Sequence, residues 1–160
     1  SLCRVGLDCV QNDGTRMPSK VFIATILFLL IGATIQLLMG EVFGFWINLA
    51  FAALVASAFF LSFYKLLILA LLAVFTLNWQ PSFSWELLYI AVFPLLVFWL
   101  KGASPWHRWF SCALFVFFGI VAMYAIFAPS IFWIGTRLFI ADAIVALLFG
   151  IVAFKVIKTL

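Results

Sequence analysis

Long apolar runs separated by short polar segments make up most of the chain. At about 20 residues per bilayer crossing, such runs are typical of membrane-spanning helices. The pattern therefore predicts an all-α fold, a polytopic integral membrane bundle of about six transmembrane helices within residues 20–160. The six predicted helices cover residues 21–39, 45–64, 66–78, 86–100, 109–128 and 138–156.

The third and fourth runs are short for a bilayer crossing. At about 1.5 Å per residue, the 66–78 run reaches only about 20 Å, less than the ~30 Å hydrocarbon core. Two arrangements follow. Either both runs span and the bilayer thins around them, or together they form a re-entrant hairpin and four full spans remain. Both arrangements leave the two termini on the same side of the membrane.

Residues 1–19 are polar and show no periodicity, so we expect a disordered N-terminal tail. The segment from Met17 onward reads as an ordinary start of a membrane protein, so we expect residues 1–16 to be either an upstream extension or a non-native remnant of expression. The cysteines, Cys3, Cys9 and Cys112, have no paired spacing. Neither a disulfide framework nor a zinc site is expected.

The positions of the basic and tryptophan residues orient the predicted helices. With the N-terminus inside, eight of the nine Lys and Arg residues fall on inside segments, and Arg137 is the exception. All seven tryptophans fall near predicted helix ends, as in an aromatic belt. The pattern predicts that both termini are cytoplasmic. The chain is 69% hydrophobic and 9% charged, so its net charge of +4 indicates the lipid bilayer as partner and not nucleic acid.

Three predicted helices carry small residues and one polar residue at four-residue spacing, which keeps each set on one helix face. The polar residue of each of these three helices lies in the outer third of the predicted bundle. Asp142 is the one acid in the interior of a run, since Glu86 stands at the end of the fourth, and it needs a partner. Two interpretations stay open: interhelical polar contacts, or a ligand or partner site open to the outside. The residues are Gly32, Gln36 and Gly40; Asn48, Ala52 and Ala56; and Asp142, Ala146 and Gly150.

Catalytic chemistry is not expected. An intramembrane aspartyl protease shares acid and base roles between two carboxylates within the membrane, and only Asp142 lies in the interior of a run. A serine protease needs a histidine at the depth of Ser57 or Ser111, whereas His107 lies at the predicted inner interface. The runs contain no acidic cluster that would hold a catalytic metal. The sequence thus predicts no catalytic residue, no cofactor and no metal site.

The size, the six closely connected helices and the polar break in "ATIQLLMGE" near the end of the first helix resemble the MreD family over residues 17–160. Those proteins are rod-shape-determining membrane subunits of bacteria. The resemblance implies a non-enzymatic scaffold in the bacterial inner membrane, with other integral membrane subunits as partners in peptidoglycan elongation. A second resemblance is to the substrate-binding subunits of energy-coupling-factor vitamin transporters, in which an Ala-x-x-x-Ala face, here Ala52 and Ala56, contacts the coupling subunit.

Overall fold

The computed structural model describes residues 19–43, 48–78, 85–102 and 107–159. These ranges contain helices and no strand, so the predicted all-α class is confirmed there. The predicted tail lies outside the described residues except for Ser19, which begins the first helix. In chain order the helices are α1 (Ser19–Phe43), α2 (Leu49–Ala58), α3 (Phe63–Leu77), α4 (Trp85–Leu100), α5 (Arg108–Phe127), α6 (Ile131–Ile134) and α7 (Thr136–Thr159).

Three helices are long and apolar enough to cross a membrane by themselves. Their apolar segments are Lys20–Glu41 in α1, Arg108–Phe127 in α5 and Thr136–Thr159 in α7. Together with the composition, they indicate a membrane protein. The helices α2, α3 and α4 have 10, 15 and 16 residues and fall below the length of a full crossing. Of the six predicted membrane spans, three are therefore supported by the length of the observed helix.

The short helix α2 lies at the centre of the bundle. All ten of its residues are buried, and it packs against α1, α3, α4, α5 and α7. Five of the ten are alanines, whose small side chains let the surrounding helices approach its backbone. The larger side chains of α2, such as Phe51 and Leu54, are fully enclosed and fill the space between those helices. The core is therefore built around a helix that is completely enclosed by the other helices.

The predicted second helix, 45–64, is interrupted in the structure. The helix α2 ends at Ala58, where the N–H groups of Phe59 and Phe60 donate to the carbonyl oxygens of Ala56 and Ser57. The turn that follows is apolar because it is buried, with the Phe60 ring 4.8 Å from that of Phe154 in α7. A hydropathy pattern cannot separate such a turn from the helices beside it. The third helix accordingly begins at 63 and not at 66.

The remaining boundaries differ from the predicted ones at the helix ends. The helices α1 and α7 extend two to four residues beyond 21–39 and 138–156, because polar flanking residues continue the helical backbone after the apolar run stops. The four-residue α6 lies in a segment for which the pattern predicts no helix. The predicted fourth and fifth helices, 86–100 and 109–128, each match an observed helix within one residue at either end.

Charged residues are segregated between the two ends of the bundle. At one end, Lys65 of α3 lies over the Phe22 ring of α1, and Lys101 contacts the last residue of α2. We call this the basic end; its cations are Lys20, Lys65, Lys101, Arg108, Lys155 and Lys158. The opposite end, the acidic end, contains all the acids of the described residues. They are Glu41, Glu86 and Asp142, and Arg137 lies with them.

A substitution at Gly119 tests the close packing around α2. A Cβ atom at this position in α5 would lie 2.4 Å from Cζ of Phe51 and 2.8 Å from Cε1 of Phe93. Because Phe51 is fully buried, its ring has little room to move. We expect Gly119→Ala to destabilise the protein by about 1–3 kcal/mol, measured by thermal unfolding in mild detergent.

The matched control is Gly102→Ala, because a Cβ atom at Gly102 meets no atom of the described residues within 4 Å. This variant should change stability by no more than about 0.5 kcal/mol. Equal melting temperatures for the two variants would show that α2 and α5 do not pack as described.

Candidate functional site

The N-terminus of α2 lies inside the protein, which creates an unusual demand. The first N–H groups of a helix have no partner within the helix, and at a buried end water cannot supply one. Asn48 occupies the N-cap position and is buried, but its side chain makes no capping bond to α2. The first backbone N–H groups of α2 therefore need hydrogen-bond acceptors from other helices.

Asp142 of α7 accepts one of these backbone N–H groups and two side-chain donors beside it. Its Oδ1 accepts the backbone N–H of Asn48 at 2.8 Å, and its Oδ2 accepts the Asn48 side-chain amide at 2.8 Å. The hydroxyl of Tyr124 in α5 also donates to Oδ2, at 2.7 Å. The Asp142 side chain is 1% exposed. One buried carboxyl group thus joins the N-terminus of α2 to both α5 and α7.

Gln36 of α1 provides a second acceptor at the same helix end. Its Oε1 accepts the backbone N–H of Ala50, in the first turn of α2, at 3.3 Å. Gln36 is 5% exposed, so the bond is shielded from solvent. Side chains from α1 and α7 therefore cap α2 in place of a residue of its own. The structure brings Gln36, Asn48 and Asp142, the polar residues of the three predicted stripes, into one cluster.

The small residues of the three stripes allow this approach. A Cβ atom at Gly32 would lie 3.3 Å from the carbonyl carbon of Leu49, so α1 passes close to the start of α2. A Cβ atom at Gly150 would lie 3.7 Å from that of Ala52, which places α7 in van der Waals contact with α2. Ala56 and Ala146 are fully buried. Gly40, by contrast, is partly exposed near the end of α1.

The hydrogen bonds to Asp142 and the end of α2 offset part of the cost of burying a carboxyl group. The N-terminus of a helix carries a partial positive charge, which stabilises a nearby carboxylate. The two oxygens of Asp142 receive two N–H groups and one O–H group, an arrangement that an ionised carboxylate satisfies completely. Arg137, five residues earlier, is exposed, and no ion pair joins it to Asp142. Neutral donors therefore hold the buried carboxylate.

Tyr124 belongs to the cluster but is absent from the sequence-based set. It is the one polar side chain near the end of an otherwise apolar segment of α5, and it lies one turn from Phe127, the last residue of that helix. Because α5 and α7 run in opposite directions, this is the depth at which Asp142 follows the start of α7. A search for hydroxyl groups as well as amides and acids at that depth would have found it.

The opposite end of α2 is capped by a cation. The ammonium group of Lys101 donates to the carbonyl oxygen of Ala58 at 2.6 Å and lies 4.0 Å from the centre of the Phe98 ring. A positive charge is favourable there, because the C-terminus of a helix carries a partial negative charge. Burial, assisted by the positive charge of Arg108, lowers the pKa of Lys101 to about 8. The sequence pattern identified Lys101 as an inner-edge charge and not as a cap.

The chemistry available to this cluster is limited. Within the described ranges no buried side-chain nitrogen or oxygen lacks a hydrogen-bond partner. The same ranges contain no group of three His, Cys, Asp or Glu residues that is suited to a metal ion. The thiol of Cys112 is free and buried in α5, away from the polar cluster. The geometry thus favours structural hydrogen bonding over acid–base or metal chemistry.

The chain matches no protein-family model, and no curated protein or solved structure is significantly similar to it. Its function therefore has to be argued from the arrangement of its own residues.

Asp142 variants distinguish the hydrogen-bonding role of this residue from a role of its charge. Asp142→Asn keeps the shape and one acceptor oxygen, and its NH2 group can donate to a rotated Tyr124 hydroxyl, so this variant should cost about 1–2 kcal/mol of stability. Asp142→Leu leaves three buried donors without a partner and should cost at least about 3 kcal/mol. Thermal unfolding in detergent measures both. Equal losses would show that the carboxylate charge, and not the hydrogen bonds, stabilises this end of α2.

Proposed function

We propose that this chain is a non-enzymatic membrane scaffold subunit of the MreD type, a six-helix bundle in the bacterial inner membrane that helps to organise the peptidoglycan elongation machinery. The observation that carries the proposal is the closed interior. The central helix α2 is buried over its whole length, and the described polar side chains around its ends bond to its backbone or to one another. An interior of this kind leaves the outer surface for interaction with other membrane subunits.

The alternative, a substrate-binding subunit of an energy-coupling-factor vitamin transporter, is less well supported. It needs a roomy pocket with several convergent polar groups. Here the polar groups near the acidic end are used to cap α2. The alternative also needs an Ala-x-x-x-Ala face that is free to contact the coupling subunit. Ala52 and Ala56 are both 0% exposed, because helices of the same chain cover them.

The segregated charges support an orientation with the basic end in the cytoplasm. Cytoplasmic ends of membrane helices are enriched in Lys and Arg. Six of the seven described cations lie at the basic end, where α1 begins and α7 ends. Both termini are then cytoplasmic. The short helices α3 and α4 span a locally thinned bilayer beside α2 in this arrangement.

Cysteine accessibility tests this orientation. In a background in which Cys3, Cys9 and Cys112 are replaced by serine, Glu41→Cys and Ser130→Cys should react with a membrane-impermeant maleimide added to intact cells. Lys65→Cys is the control and should react after the inner membrane is permeabilised. Labelling of position 41 from the cytoplasmic side would reverse the orientation.

Co-purification tests the scaffold role. Affinity-tagged protein extracted from its bacterial source in mild detergent should retain integral membrane subunits of the elongation machinery, and its depletion should turn rod-shaped cells round. Asp142→Asn serves as a matched variant, since it should fold and keep both properties if the residue is structural. Normal cell shape after depletion, or recovery of the ATP-hydrolysing and coupling subunits of a transporter, would reject the scaffold in favour of the alternative.

A further inference from the structure

The basic end carries two cations that have no anionic partner among the described residues. Lys101 follows α4, and Arg108 is the first residue of α5, the next helix. They lie at the same end of the bundle, where α4 and α5 pack against each other, and the charge of Arg108 acts on Lys101. Like charges at short range repel, and the repulsion is strongest where burial keeps water away. A pair of this kind is favourable when an anion lies between or beside its members.

The described part of the chain supplies no such anion. Its acids, Glu41, Glu86 and Asp142, all lie at the acidic end, and no ion pair is found among the described residues. The carbonyl oxygen of Ala58 takes one of the three N–H groups of the Lys101 ammonium. Arg108 is exposed and brings a guanidinium group that binds phosphate oxygens in pairs. Donors are therefore available and the matching acceptor is missing.

The surroundings of this pair are those of a membrane interface. Trp99, two residues before Lys101, is 76% exposed, and Trp109, next to Arg108, is 55% exposed. Tryptophan rings prefer the headgroup level of a bilayer. The Lys101 ammonium lies against the Phe98 ring, which fixes its position at the edge of the apolar region. Phosphate groups of lipids occupy this level of the membrane.

We propose that Lys101 and Arg108 form a binding site for the phosphate group of an anionic phospholipid at the basic end of the bundle. Basic pockets between transmembrane helices on the cytoplasmic side are suited to such headgroups. Because Lys101 also caps α2, a bound phosphate stabilises the central helix through the same ammonium group. The inference needs the chain to lie in a membrane but is independent of the scaffold role.

Lipid-dependent thermal stability tests this site. The full chain in a neutral detergent should melt about 5 °C or more higher with added phosphatidylglycerol, and by much less with phosphatidylcholine. Arg108→Gln should lose at least half of that increase. Arg137→Gln removes an exposed arginine at the acidic end and is the matched control, which should keep the full increase. Equal increases in the two variants would overturn the proposal.

Two further measurements separate the possible sources of the effect. Inorganic phosphate at the same concentration should give no comparable stabilisation, and if it does, the site binds a free anion and not a lipid. Reductive methylation with ¹³C-formaldehyde makes Lys101 visible by NMR, and Lys101→Arg identifies its signal. The midpoint of its titration should lie near 8 without anionic lipid. It should rise on adding phosphatidylglycerol, because an anion stabilises the protonated amine; an unmoved midpoint contradicts the proposal even if Arg108→Gln does not fold.

Discussion

Capping of a buried helix by other helices is the constraint on which this structure depends. The ten residues of α2 span only about 15 Å, so both ends lie within the bundle. Backbone N–H and C=O groups at those ends have no helical partners, and neither lipid nor a packed interior offers water. Asp142 and Gln36 satisfy one end, and Lys101 satisfies the other. Without these bonds, a helix of this length has no favourable place at the centre of the protein.

The caps also determine how the surrounding helices are placed. Asp142 holds α7 against the start of α2, and the hydroxyl of Tyr124 joins α5 to the same carboxylate. Lys101 fixes the end of α4 against the end of α2. An acid lies at the positive end of the helix dipole and a base at the negative end, so the order of the caps is not interchangeable. Association by apolar contact alone is weak in lipid, and these directional bonds provide the specificity that it lacks.

Hydropathy and spacing predicted the helical class and the polar set, but not how the set is used. Gln36, Asn48 and Asp142 stand out because amides and acids are costly in apolar runs and must find partners. The end of α2 could not be predicted, since the turn after Ala58 is made of buried apolar residues that prolong the run. The role of Lys101 was equally hidden. It depends on a contact between residues 43 positions apart in the chain, and no local pattern encodes that contact.

The distribution of satisfied and unsatisfied charge indicates where this protein meets other molecules. At the acidic end both oxygens of the buried carboxylate accept hydrogen bonds from donors of the same chain, so a ligand there would have to displace bonds that hold α2. At the basic end, cations lie beside exposed tryptophans, and the described residues bring no acid to them. Pairing the cations of the basic end with an anion gains free energy, whereas disturbing the hydrogen bonds of Asp142 loses it. Recognition is therefore expected at the membrane-facing periphery, in agreement with the proposed scaffold role and the proposed lipid site.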